Sequence, residues 1–312
     1  MTAAPAQTVS FWRAQGPIFT VAMGHGTLHW VTSILFILLP YIKNDLGLSY
    51  TQAGMLITVF HICAAIANIP SGPMADIIGR RVLIMAGSLA LCGGALVLTG
   101  YADSYLMIGI LIGVIGATSM SWHPPAMSYL SIRYPDRRGF AVSMHGVGSS
   151  IAQATGPAVA GAMMSTSAAV PFLALSLSWR ETAVINGLVP LAIGVLMFVL
   201  LKRTQRAATG RNTPAKMRDY AEGFKGLLKS RGVIMLCVVS GFRKMTQAGI
   251  FVFLPLYLAD ILTLGPLMIG TTLMLMQIAG GVAGPVGGIL SDRIGRRPVT
   301  MTCMWATTII IV

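Results

Sequence analysis

Long apolar blocks separated by short polar clusters run along the whole chain. A helix needs about 20 mostly apolar residues to cross a bilayer, and eight blocks reach about that length, while a ninth begins at Pro298. The pattern therefore predicts an all-α membrane protein with about eight full spans and part of a ninth. The eight predicted spans occupy 17–40, 52–72, 82–100, 105–130, 139–164, 183–201, 233–258 and 267–289.

A polar, basic segment divides the apolar blocks into groups of six and three. Residues 202–231 carry nine of the 22 Lys and Arg residues and include the run from Thr209 to Pro214, TGRNTP. Turn-forming residues and clustered charge are typical of a connection between structural units. We therefore predict a six-helix half over 1–201, a cytoplasmic linker over 202–231 and a partial second half over 232–312.

Composition and charge agree with a membrane location. The chain is 55% hydrophobic and only 10% charged, against about 25% charged in soluble domains. The net charge of +13 lies in short clusters between apolar blocks, which argues against a nucleic-acid-binding face.

The positive charges also predict the orientation in the membrane, because short loops rich in Lys and Arg stay in the cytoplasm. With the N-terminus inside, 18 of the 22 Lys and Arg residues are cytoplasmic. Lys43 and Arg180 lie on the opposite side, and Arg243 and Lys244 lie within span seven. We predict a multi-pass protein of a bacterial inner membrane with a cytoplasmic N-terminus.

An internal repeat links the two groups of spans. Pro40 precedes Asp45 by the same number of residues as Pro255 precedes Asp260, and a similar loop follows each pair. A basic turn at the headgroups would explain one copy, but two copies at matching places favour a functional element. The two loops read GPMADIIGRR over 72–81 and GILSDRIGRR over 288–297.

This repeated G-x-x-x-D-x-x-G-R-R loop resembles the motif of the major facilitator superfamily of secondary transporters. The resemblance covers the whole chain and implies two six-helix halves around a central cavity that opens to each side in turn. It also implies a cytoplasmic latch, although Ile77 stands where the family usually has arginine. The latch candidates are Gly72, Asp76, Gly79, Arg80 and Arg81, and in the second copy Gly288, Asp292, Arg293, Gly295, Arg296 and Arg297.

The twelve-helix plan of that family also bears on length. From Pro298 to Val312 there are too few residues for a full span, so we expect a C-terminally truncated transporter. We expect it to act as a monomer without a cofactor. Its partners would be a small-molecule substrate, protons and the lipid bilayer.

Shorter motifs suggest a branch of the family. Gly24-His25-Gly26, the stretch from Leu46 to Gly54 and His123-Pro124-Pro125 resemble the fosmidomycin-resistance branch, which exports an antibiotic phosphonate. Span five resembles the glycine-rich stretch of drug and proton antiporters, although small-residue packing between helices explains it equally well. The helix-bending candidates in span five are Gly148, Gly156 and Pro157.

Ionisable residues inside the spans are all basic. The nine acidic residues map to loops or span ends, whereas Arg243 and Lys244 lie about ten residues, or ~15 Å, from the cytoplasmic end of span seven. A cavity with cations and no interior carboxylate favours an anionic substrate. Arg243 is our first candidate for an anion ligand, with Lys244 and Gln247 beside it. Alternatively, Arg243 or Lys244 extends to the headgroups or pairs with a C-terminal residue.

All five histidines lie in predicted spans of the first half. His25, His123 and His145 fall at comparable depth, so they are candidates to share a cavity and carry protons, since imidazole titrates near neutral pH. A neutral imidazole that bonds a neighbouring helix is the simpler role for each one. His25 and His29 share a helix face as metal ligands can. No further carboxylate or thiolate ligand is evident at that depth, so we expect no metal.

The sequence lacks the motifs of competing functions. It contains no H-E-x-x-H, no G-x-S-x-G and no phosphate-binding G-x-x-x-x-G-K-[ST], so neither a hydrolase nor a nucleotide-driven pump is indicated. We predict proton-coupled efflux of a small anionic or antibiotic-like compound. Import of an organic anion or sugar-like nutrient and a sensor without transport activity are the alternatives.

Overall fold

The computed structural model describes residues 11–167, 172–203 and 217–311, and within these ranges the chain is helical without strands. The all-α class predicted from the sequence is confirmed. The helices are α1 (Phe11–Asp45), α2 (Tyr50–Ile78), α3 (Arg81–Thr99), α4 (Tyr105–Ser121), α5 (His123–Arg133), α6 (Arg138–Met163), α7 (Trp179–Leu201), α8 (Met217–Lys229), α9 (Arg231–Asp260), α10 (Pro266–Ile294) and α11 (Arg296–Ile311).

Seven helical stretches of the described chain are long and apolar enough to cross a membrane, with α4 and α5 together forming one of them. The predicted fifth span, α6, is not among the seven. Its 26 residues are rich in Gly, Ala and Ser, which add little hydropathy but let helices approach closely. Helix α6 packs against α1, α5 and α10, so its composition suits contact with helices rather than with lipid.

Two serines define the starts of α2 and α7 through the same device. The Ser49 hydroxyl accepts from the backbone N–H of Gln52, and the Gln52 side chain accepts from the backbone N–H of Ser49. Ser178 and Glu181 form the equivalent pair at α7. Such reciprocal capping satisfies N–H groups that lack partners within the helix, which explains why both helices begin where they do.

The predicted fourth span is broken into α4 and α5 at Trp122. Pro124 and Pro125 occupy the first turn of α5, where the missing N–H groups cost little, but neither can continue the hydrogen bonds of α4. The Trp122 side chain is fully buried. The break leaves His123 at the junction of the two helices, in the middle of the bundle.

The predicted linker contains helix α8, which directly precedes α9. The run from Thr209 to Pro214, on which the linker prediction partly rests, lies outside the described residues, as do residues 1–10. The division into two halves stays a prediction.

Helix α1 forms the centre of the bundle and packs mainly against α6 and α7. Its apolar side chains Ile18, Ile34 and Leu38 are fully buried. Gly148 of α6 lies directly against the α1 backbone, where an added Cβ would collide with the carbonyl oxygen of Ala22. This glycine, predicted as a site of bending, sets the close approach of two helices.

Alanine substitutions at two glycines of α6, one at this contact and one away from it, should affect stability in opposite ways. Gly148→Ala should lower the free energy of unfolding by about 1–3 kcal/mol, because the backbone must move apart. Gly146→Ala should be neutral or stabilising by up to about 1 kcal/mol, since open space surrounds its position. Thermal unfolding of both variants in detergent measures this, and equal shifts would contradict the packing described.

Candidate functional site

A cavity of about 540 Å³ lies in the middle of the bundle. Helices α1, α2 and α6 and the α4–α5 junction form one wall, and α9 and α10 form the other. Aromatic rings of Phe36, Phe60 and Phe251 contribute to the apolar part. The polar lining side chains are those of His29, Thr32, Ser33, His61, Ser119, His123, Gln153, Lys244, Gln247 and Gln277.

Four histidines from three helices meet at one side of this cavity. They are His25 and His29 of α1, His123 of α5 and His145 of α6, and we call them the histidine cluster. The ring centroids of His25 and His145 are 3.6 Å apart in a stacked arrangement. His25 Nε2 lies 3.1 Å from the Nε2 atoms of both His29 and His123. The structure thus brings together the three histidines placed at one depth from the sequence, and adds His29.

The cluster continues into a hydrogen-bonded chain that crosses the cavity. Gln277 Nε2 on α10 donates to Gln153 Oε1 on α6 over 2.9 Å, and Gln153 Nε2 lies 3.0 Å from His29 Nδ1. At the other end, His25 Nδ1 lies 2.8 Å from the carbonyl oxygen of His145. Side chains of α10, α6 and α1 therefore form one polar path.

Of the two adjacent cations of α9, only one is among the cavity-lining residues. Lys244 and Gln247 line it, and Lys244 Nζ donates to Gln247 Oε1 over 3.2 Å. Both cations are exposed, but Arg243, the first candidate from the sequence, is not a lining residue. Adjacent helical residues point about 100° apart, so one position can face the cavity while its neighbour faces away.

The first copy of the repeated loop forms an ion pair between the ends of α2 and α3. Arg81 is buried and donates to Asp76 Oδ1 over 2.9 Å and to the Ser128 hydroxyl over 2.8 Å. Gly79 makes the turn between the helices with a φ of 65°, a conformation that favours glycine. Arg80, the other predicted latch arginine, is exposed.

Tyr220 of α8 joins this ion pair by donating its phenolic hydrogen to Asp76. The bond to the carboxylate raises the pKa of Tyr220 above its ordinary value of 10.0. The phenol therefore remains protonated and donates at neutral pH, and the bond is lost only as pH rises through the raised pKa. This contact ties helix α8 to the Asp76–Arg81 ion pair.

The second copy of the loop also has a glycine with positive φ, but it does not repeat the ion pair. Gly295 also has positive φ, at 96°, and the N–H groups of Gly79 and Gly295 both donate to the carbonyl four residues earlier. Asp292, Arg296 and Arg297 are exposed, and within the described chain Asp292 forms no ion pair. The two copies therefore share a glycine with positive φ and this hydrogen bond, but ψ differs, at 0° for Gly79 and 152° for Gly295.

The same substitution at the loop aspartate should lower stability in the first copy, where the aspartate is ion-paired, and have little effect in the second copy. Asp76→Asn should lower the free energy of unfolding by about 1–2 kcal/mol, because it leaves buried Arg81 without its anion while Asp76 is itself partly exposed. Asp292→Asn should change stability by less than about 0.5 kcal/mol. Thermal unfolding of each variant measures the difference, and a larger effect at Asp292 would contradict it.

The opposite end of the bundle carries ion pairs that the sequence did not reveal. Lys43 of α1 lies 3.0 Å from Asp260 of α9, with only 14% and 13% of their side chains exposed. Asn44 also donates to Asp260. The repeat partner of Asp260, Asp45, instead pairs with Arg180 of α7 over 2.9 Å. Asp260 thus ties α9 to the first six spans, whereas Asp45 ties two helices within them.

Comparison with known proteins agrees with this architecture. The profile described as the Major Facilitator Superfamily matches residues 21–312. The chain is 24% identical over 288 residues to a probable nitrate/nitrite transporter, NarK2, of Mycobacterium tuberculosis, covering 90% of this chain and 67% of that protein. It is 28% identical over 300 residues to an MFS-type efflux pump of Mycolicibacterium smegmatis, covering 92% and 63%.

A solved structure shares the fold. The chain superposes with a TM-score of 0.75 on an inward-facing, unoccupied bacterial homologue of the human lysosomal transporter Spinster, at 16% identity. The match covers 93% of this chain and 64% of that one. The chain thus spans about two thirds of the length of these relatives.

Proposed function

The chain belongs to the major facilitator superfamily, and on that premise we propose that it exports a small anion in exchange for protons by alternating access. Family membership makes it a multi-pass membrane transporter rather than an enzyme. The substrate, the direction and the coupling ion are the proposed parts.

Lys244 in the cavity wall is the observation that carries the anion proposal. Its ammonium group and the amide of Gln247 face the same space as Gln277 and Gln153, and amides complete the hydrogen bonds of a bound anion. Among the described lining residues there is no carboxylate to neutralise Lys244. A cation at membrane depth without a fixed counter-ion favours an anionic ligand. The nitrate/nitrite transporter among the relatives supports the same substrate class.

His61 supports protons as the coupling ion. It lines the cavity from α2, apart from the histidine cluster, and Lys244 lines the same cavity from α9. Imidazole is the side chain whose ordinary pKa allows proton exchange near neutral pH. Sodium coupling would require oxygen ligands, typically carboxylates and backbone carbonyls, and the described lining holds none of the former.

Export is supported by the efflux pump among the relatives and by the fosmidomycin-resistance motifs. A small phosphonate or carboxylate is the proposed substrate.

The proposed cytoplasmic placement of the N-terminus and linker is supported by the Lys and Arg distribution. The Asp76–Arg81 pair is proposed as the latch on that side. Monomeric action in a bacterial inner membrane completes the proposal.

Uptake by everted membrane vesicles tests the direction and the coupling together. Their outer surface is the cytoplasmic face, so an exporter loads the vesicle with a labelled anion when respiration acidifies the lumen. A protonophore should abolish this uptake. Accumulation only in right-side-out vesicles would instead establish import, and uptake equal to that of vesicles without the protein would reject transport of the anions tested.

A further inference from the structure

The histidine cluster has the geometry of a metal site. We propose that His25, His29 and His123 bind one divalent transition-metal ion of the Zn²⁺ class, with its fourth coordination position facing the cavity. One ring nitrogen from each of these three residues lies within 4.8 Å of the other two. This inference does not depend on the transport proposal, since metal binding can be measured without a known substrate.

The hydrogen bonds of His25 and His123 fix where their protons lie. His25 Nδ1 faces the carbonyl oxygen of His145 over 2.8 Å, and His123 Nδ1 faces the carbonyl oxygen of Ser119 over 3.0 Å. A carbonyl oxygen only accepts, so both Nδ1 atoms carry the hydrogen. In each neutral ring Nε2 then presents a lone pair.

The two nitrogens that carry these lone pairs lie close together. The Nε2 atoms of His25 and His123 are 3.1 Å apart, and two acceptors at that distance cannot form a hydrogen bond. A cation between them removes the repulsion. Two nitrogens bound to a tetrahedral Zn²⁺ at 2.0–2.1 Å are about 3.3 Å apart, so the pair needs little movement to bind a metal ion.

His29 supplies the third nitrogen. Its Nε2 lies 3.1 Å from that of His25, and its Nδ1 faces the Gln153 amide. In the structure the Gln153 Nε2 atom faces His29 Nδ1, so metal binding requires a half-turn of the Gln153 amide. A matching half-turn of Gln277 keeps their mutual bond, and a carbonyl oxygen then faces His29 Nδ1. His29 Nδ1 then carries the hydrogen, and Nε2 presents its lone pair to the ion.

Each ligand would then have the outer partner that metal-bound histidines require. A ligating imidazole donates its other N–H to a carbonyl or carboxylate, which orients the ring and raises its basicity. Here the partners are the backbone carbonyls of His145 and Ser119 and the Gln153 amide. Neutral imidazoles suit Zn²⁺, Cu²⁺ and Ni²⁺, and Zn²⁺ fits a tetrahedral site with one position open.

The open position faces the cavity. His29 and His123 line that space, whereas His25 lies behind them and is only 6% exposed. Lys244 of α9 lines the same cavity as His29, so the cavity would hold both a dication and an ammonium group. An anionic fourth ligand, or hydroxide, offsets that charge. The fourth ligand is therefore expected to be an anion rather than a neutral amine.

Cobalt binding by the purified 312-residue chain tests the site, since Co²⁺ in a tetrahedral site absorbs visible light far more strongly than aqueous Co²⁺. After dialysis against a chelator, one equivalent of Co²⁺ should give that absorption and Zn²⁺ should displace it. His25→Gln, His29→Gln and His123→Gln should each abolish the signal. His61→Gln, a histidine change in the same cavity outside the cluster, should retain it.

Three further variants separate metal ligation from folding. His29→Asp replaces one metal ligand by another and should retain Co²⁺ binding. His29→Asn, whose side chain has the same size as that of aspartate, should lose Co²⁺ binding. Gln153→Leu should weaken Co²⁺ binding by about 10–100-fold through loss of the outer partner. If the histidines share a proton instead of binding a metal ion, the unmodified chain will give no tetrahedral signal. That result overturns the proposal. So does a signal that persists in all three His→Gln variants.

Discussion

Lys244→Gln should strongly weaken anion binding and transport while leaving the chain folded. The substitution keeps a long polar side chain next to Gln247 but removes the one cation among the described residues that line the cavity. Losing a hydrogen bond to a charged group costs about 1.5–3 kcal/mol, so substrate affinity should fall by about 10–150-fold. Concentration-dependent flux of the labelled anion through proteoliposomes measures the change.

Arg243→Gln is the matched control for Lys244→Gln. Both variants remove one positive charge from adjacent, exposed residues of α9, but Arg243 does not line the cavity. Its affinity for the anion should stay within about threefold of the unmodified chain. If instead Arg243→Gln abolishes transport and Lys244→Gln does not, the sequence-based choice of Arg243 as the anion ligand is right and the cavity assignment is wrong.

His61→Gln should disconnect transport from the pH gradient. A proton carried by His61 must enter from one side and leave on the other, and a glutamine at that position cannot carry it. Net flux driven by a pH gradient should therefore fall at least tenfold, with the substrate site intact. Flux is measured in proteoliposomes with an imposed pH difference and the membrane potential clamped.

Anion exchange at equal pH on both sides provides the control for His61→Gln. Exchange needs the cavity and alternating access but no net proton movement, so the variant should exchange at close to the unmodified rate. Loss of exchange together with net flux would show a damaged cavity instead. Unchanged response to the pH gradient would rule out His61 as the proton carrier.

Helix positions and the repeated loop could be predicted from local patterns alone. Apolar block length placed the helices, and the glycines of the two loops, Gly79 and Gly295, adopt the positive φ that a tight turn needs. The break at Trp122 was missed because apolar content continues across Pro124 and Pro125. Their effect depends on backbone hydrogen bonds, which hydropathy does not register.

Which residues meet at the cavity depends on tertiary contacts, and these contacts could not be read from a single sequence. Helical rise placed His25, His123 and His145 at one depth, but only packing shows that α1, α5 and α6 are neighbours there. Depth also could not distinguish Arg243 from Lys244, because both lie at the same level and differ in direction.

Side-chain contacts between residues far apart in the sequence also could not be predicted from the sequence. Lys43 and Asp260 meet across 217 residues of sequence, and each alone reads as a charge at a span end. Tyr220 of the predicted linker gave no sign that it bonds Asp76. These pairs arise from how the helices assemble rather than from any local signal.

Anion flux through proteoliposomes that contain only the purified chain tests whether it transports anions. With a labelled small anion inside and a pH gradient imposed, we expect saturable efflux that competing anions inhibit, that organic cations leave unchanged and that Lys244→Gln strongly lowers. Flux no greater than in protein-free liposomes, or flux of cations equal to that of anions, would show that the chain is not an anion transporter.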